Sequence, residues 1–215
     1  MIEVSNREIA RYLGYRGISP DPRVQQVIDQ VLQELERSVR PGCLHRMEPC
    51  TLDASGLLHL GPITVSSLDL KKNLDGCTHV ILIGATLGAA PDQLIRRYEA
   101  TDMLKASIAQ AVAAAMIEAY LDSEQEKLER MYLAQGLHMR PRFSPGYGDL
   151  SLDVQPEILA VLQMSKHLGV TLTDGLLMIP SKSITAFIGL AERPYHCETI
   201  SCQFCGKENC LYRKE

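Results

Sequence analysis

The chain has 215 residues, 46% of them hydrophobic and 22% charged, and a formal net charge of −4. That length fits one medium-sized domain, and the composition excludes a disordered or collagen-like chain. Lys and Arg number 22 against 26 Asp and Glu, so there is no basic excess of the kind nucleic-acid binding requires.

Ser5-Asn6-Arg7-Glu8 has the form of a capping box and predicts a short helix to Leu13. Asp21-Pro22 predicts the start of a second helix, whose stripe Val24, Val27, Ile28, Val31, Leu32, Leu35 and Val39 repeats at helical spacing as far as Arg40. Cys43 to Leu60 reads as a two-stranded hairpin around Ala54-Ser55-Gly56. Ser66 or Ser67 caps a short helix to Leu74, and Thr78 to Ile83 is a β-prone run that predicts a strand covered on both faces. It opens into Gly84-Ala85-Thr86-Leu87-Gly88, a pattern that suits a phosphate site or a tight functional turn but lacks the third glycine of a dinucleotide fingerprint.

Pro91 to about Gln135 is predicted helical with a break near Thr101-Asp102, and its alanine-rich middle, Ala106 to Ala119, predicts a central, closely packed helix. The longest apolar stretch, Ile108 to Ile117, is interrupted by Gln110 and is shorter than the roughly 20 residues that span a bilayer. Met1 to Glu8 has no apolar signal core. The expectation is therefore a cytoplasmic protein without a membrane partner. A proline-bearing loop, Arg140 to Asp149, precedes a helix from about Asp153 to His167. Strands are predicted at Leu172 to Met178 and Ile184 to Leu190.

Cys197, Cys202, Cys205 and Cys210 follow the spacing C-x4-C-x2-C-x4-C in a tail, residues 193–215, beyond a main domain at residues 1–192. Four thiolates so close can close around one zinc ion or one iron–sulfur cluster, and the x4 gaps decide for neither.

Neither a Gly-x-Ser-x-Gly elbow, a paired-histidine zinc motif nor a Walker loop occurs. The loop Arg142 to Asp149 instead holds a guanidinium in fixed relation to an aromatic ring, four residues before Gly146-Tyr147. Such a pair suits a ligand with a carboxylate and a flat or cationic part; equally, it could be a rigid connector with Tyr147 plugging the core. Glu118 is the lone acid of the alanine-rich helix, and it needs a partner, either a protein cation such as Arg142 or a ligand ammonium.

Through these residues the sequence resembles the activation (reactivation) domain of vitamin B12-dependent methionine synthase. The hallmark Arg-x-x-x-Gly-Tyr stands here as Arg142-Phe143-Ser144-Pro145-Gly146-Tyr147. Val80 to Ile83, Thr86-Leu87-Gly88 and Ile117-Glu118-Ala119-Tyr120 match upstream features; Thr171-Leu172-Thr173, Met178-Ile179-Pro180 and Ser183 match downstream ones. The likeness runs from about residue 75 to 190. Three features depart from it. The aromatic pair of the last strand falls on Phe187-Ile188, an acid one helical turn before the glutamate falls on Ala114, and the cysteine tail is additional.

The resemblance implies a single α+β domain with a bent antiparallel sheet packed with helices. It implies a methyltransferase-type activity, the reductive methylation of cobalamin by S-adenosylmethionine, acting on a methionine synthase or another corrinoid protein as partner. A flavodoxin-like donor or the cysteine cluster would supply the electron. By the same resemblance Arg142 would pair with the ligand carboxylate and Glu118 with its ammonium. The backbone around Ser144 and Gly146 would meet adenine or ribose, and Tyr147 the sulfonium or the corrin. The rival expectations are a non-catalytic module that binds S-adenosylmethionine or a corrinoid protein, and a metal-bearing redox partner.

Overall fold

The computed structural model describes residues 2–15 and 18–193; the cysteines of the tail lie outside them. The chain opens with α1 (Asn6–Tyr12) and α2 (Pro22–Ser38). Asp21 caps α2 as predicted, its side chain accepting from the amides of Arg23 and Val24. The capping box of α1 does not form: Ser5 makes no side-chain cap bond, and Glu8 pairs with Arg11 Nη2 at 2.7 Å.

The predicted hairpin is a meander of three strands, β1 (Gly42–Leu52), β2 (Leu58–Leu60) and β3 (Ile63–Val65). There follow α3 (Leu68–Asn73), β4 (His79–Thr86), α4 (Ala90–Glu99), α5 (Met103–Leu133) and β5 (His138–Met139). After a 3-10 turn at Leu152–Val154 come α6 (Gln155–Leu162), α7 (Met164–Leu168), β6 (Thr171–Leu172), β7 (Met178–Ile179) and β8 (Ser183–Ala191). The predicted break at Thr101-Asp102 is the junction of α4 and α5, where Asp102 caps α5 through the Lys105 amide.

Two expectations are corrected. The helix foreseen over 153–167 is cut at Gln163, which takes φ 52 and divides α6 from α7. The strand foreseen over 172–178 is a hairpin: Thr173 Oγ1 accepts from Leu177 N at 3.1 Å, and Leu176 has φ 61. The local Asp174-Gly175 turn chemistry overrides the β-propensity of its neighbours.

The main sheet runs β3-β2-β1-β4-β8-β5 with every neighbouring pair antiparallel. Because strand side chains alternate between faces, its central strands feed two cores. Ile81, Ile83 and Ala85 of β4 join Ala186, Ile188 and Leu190 of β8 against α1, α2, α4 and α5. Val80, Leu82 and Phe187 face the other way, onto α3, α6 and the β2–β3 hairpin. This is the α+β arrangement with helices on both faces, and β4 is covered on both sides as its composition foretells.

Ala109, Val112, Ala113 and Met116 of α5 are buried in the first core, so the alanine-rich stretch is the central helix. By length and composition α5 could cross a membrane, but 56% of its apolar window is buried inside the chain.

Candidate functional site

The loop after β5 is positioned by β8. Arg140 N donates to Gly189 O at 2.8 Å, and Phe143 and Phe187 exchange both backbone hydrogen bonds at 2.9 Å. Phe143 packs on the second core. Its neighbour Arg142, of opposite parity, reaches instead to α5.

There Arg142 Nη2 donates to Glu118 Oε2 at 3.1 Å, and Nη1 donates to Asp122 Oδ1 at 2.6 Å and Gln125 Oε1 at 3.0 Å. The guanidinium is 17% exposed and Glu118 34%. Residues 118, 122 and 125 lie on one face of a helix by their i, i+4, i+7 spacing, which brings three acceptors to one cation. Two carboxylates against one guanidinium leave the cluster with a surplus negative charge. Asp122 and Gln125 escaped the sequence reading, although that spacing from Glu118 was available as a signal.

The structure thus brings Glu118 and Arg142 together, each holding the other. Ser144 to Tyr147 form a turn beside Arg142, with Tyr147 N donating to Ser144 O at 3.2 Å and Gly146 N to Leu150 O at 2.8 Å. Pro145 precedes Gly146, whose φ of +87 is the left-handed value that a type II turn demands at that position. Tyr147 is 67% exposed, so it does not plug the core. Tyr12 from α1 also borders the site: burial, and then the charge of Glu118, raise its hydroxyl pKa above the ordinary value.

A cleft of about 1170 Å³ lies between residues 2–8, the C-terminal half of α2 and the middle of α5. Glu118 and Asp122 belong to its walls, but Arg142 and the turn 144–147 do not. The carboxylates of Glu3, Glu8, Glu36, Glu118, Asp122, Glu124 and Glu126 outnumber its cations Arg37 and Lys127, so its field favours a positively charged occupant.

Two further expectations change. In the turn after β4, Leu87 N donates to Lys182 O at 3.0 Å and Gly88 N to Thr86 Oγ1 at 3.1 Å; amides spent this way cannot cradle a phosphate. Phe187 and Ile188 are both fully buried, one in each core. Neither side chain reaches the surface. Among the described residues no group of three or more His, Cys, Asp or Glu side chains could hold a metal ion.

No family model matches the sequence, and neither does any curated protein. Among solved structures the chain is similar to the MetH reactivation domain bound to AdoHcy, with a TM-score of 0.61 and 14% identity. The match covers 87% of this chain and 77% of that one. The chain therefore shares the fold of that reactivation domain.

Proposed function

We propose that the chain binds S-adenosylmethionine and uses it to support reductive reactivation of a cobalamin carried by a partner corrinoid protein. The observation that carries this reading is the convergence of Arg142 and Glu118 from a loop and a helix. It is supported by a fold shared with a domain that binds AdoHcy, the demethylated form of that ligand. An amino-acid zwitterion presents a carboxylate to the guanidinium and an ammonium to the glutamate. It can take both partners at once without stranding either charge, which matters because breaking a half-buried pair otherwise leaves an uncompensated ion. The acidic surroundings suit the added positive charge of a sulfonium. Backbone groups at Ser144 and Gly146 are offered to adenine or ribose, and the exposed Tyr147 ring to the sulfonium or the corrin. The chemistry needs no acid or base from the protein. A reduced cobalt is a strong nucleophile and a sulfonium has a good leaving group, so holding the methyl in line is the main task.

Arg142→Ala is expected to weaken S-adenosylmethionine binding at least about tenfold, the worth of one charged hydrogen bond. Unchanged affinity by titration calorimetry would reject the assignment. With a cob(II) corrinoid protein and an electron donor such as a flavodoxin, the chain should yield the methylated corrinoid. Binding without that product would leave a non-catalytic module.

A second reading is favoured by Gln125. With Asp122 it occupies both hydrogens of Arg142 Nη1, as in a purely structural clamp that no ligand opens. No calorimetric response to S-adenosylmethionine would select it.

For the tail, the proposal is one metal centre on Cys197, Cys202, Cys205 and Cys210. A brown anaerobic preparation would mean iron–sulfur and an electron relay; a colourless one with stoichiometric zinc would mean a structural site. A metal-free preparation would overturn both.

A further inference from the structure

The loop that carries Arg142 and Tyr147 is held at both ends by the short helix α3 and the residues that flank it. At its start, Asn73 Nδ2 donates to Pro141 O at 3.2 Å, and Arg140 Nη2 donates to Asp75 O at 2.9 Å. At its end, the Asp149 carboxylate sits on the first turn of α3. Oδ2 accepts from Leu68 N at 2.7 Å, and Oδ1 accepts from Asp69 N at 3.2 Å and from Ser67 Oγ at 2.5 Å. Ser67 Oγ in turn accepts from Leu70 N at 3.0 Å. Between these anchors Gly148 passes so near the helix that a Cβ there would lie 2.6 Å from Asp69 Oδ2. The hydroxyl of Ser67, and after it the α3 amides, hold the Asp149 carboxyl below the usual range.

We propose that Asp149 is a positioning residue for the ligand loop: its carboxylate, seated on α3, sets where Arg142 and Tyr147 stand. The ligand arm of this inference rests on the function proposed above. Ordering loop backbone costs conformational entropy at every residue, and the turn itself supplies few bonds. Three donors converging on one carboxylate are charge-assisted and geometrically demanding. In Asp149→Asn the amide nitrogen would face the Leu68 amide, donor against donor, so that anchor is lost to water. Neither hydrophobic core includes Asp149, so the cost falls on the loop and not on the fold.

The test compares the parent, Asp149→Asn and Ser67→Ala by amide hydrogen exchange without ligand and by calorimetry with S-adenosylmethionine. Asp149→Asn should speed exchange at Gly146, Tyr147 and Leu150, leave β4 and β8 protected as in the parent, and lose about three- to tenfold in affinity. Ser67→Ala, which keeps the two backbone donors, should move the same way by less; it decides the matter should Asp149→Asn fail to fold. Unchanged loop exchange overturns the proposal, as does acceleration spread equally over β4 and β8. If the parent ignores S-adenosylmethionine, the functional reading fails, and loop exchange still judges Asp149.

Discussion

At the contact of α2 with α4, Glu34 accepts from Tyr98 Oη at 2.5 Å and pairs with Arg97. The tyrosine bond, and after it Arg97, hold the Glu34 carboxyl below the ordinary range despite some burial. A depressed folded pKa contributes stability that is complete above the unfolded value of about 4.3. That stability is lost as the pH falls through the lower folded value. Glu34→Gln should therefore lower stability at pH 7 by no more than about 1 kcal/mol for so exposed a pair, read as a small fall in melting temperature. As the pH falls below both values, thermal melts of variant and parent should converge. The cysteines of the described residues behave differently. Burial pushes the Cys43 thiol up to about 12 and Cys50 up to about 11, and raises Cys77. With so little thiolate, they should alkylate slowly with iodoacetamide at pH 8 until urea unfolds the chain. Fast labelling of the native protein would then report on the tail cysteines alone.

At the scale of elements, β4 and β8 divide the molecule into two cores, and each position on them is committed to one. Ile188 is fully buried among α-helical residues of the first core. Ile188→Ala should cost about 2–5 kcal/mol in urea unfolding and, under the proposed function, leave S-adenosylmethionine affinity unchanged; a loss of affinity with stability intact would contradict a purely structural role. Gly84 serves close approach on the opposite face, since a Cβ there would lie 2.5 Å from Met164 Sδ and 3.1 Å from Leu162 Cδ1. Gly84→Ala should destabilise by about 1–3 kcal/mol through overpacking, read by the same unfolding curves. The glycine that looks like a ligand-loop residue in sequence is a packing residue in the fold.

Over the whole molecule, the elements with strong local signals were legible. The α2 stripe, the Asp21 and Ser67 caps, the β-rich run of β4 and the alanine block of α5 each declare themselves within one segment. The shortest strands were not. β3 and β5 are three and two residues long, and strands of that length are created by their sheet partners. Gln163 adopts a left-handed φ inside an apparently continuous helix, where the α6–α7 junction packs against β4 at Gly84.

The site divides the same way. The residue types that could grip a zwitterion, Arg142 before Gly146-Tyr147 and Glu118 alone among alanines, were fixed by the order of amino acids, since charge and turn chemistry are properties of the residues themselves. Their meeting across 24 positions, the recruitment of Asp122 and Gln125, and the clamping of the loop by Asp149 across 80 or more positions were decided only by tertiary structure. Hydrogen bonds have a reach of about 3 Å, and only the folded sheet and helices bring such distant groups within it.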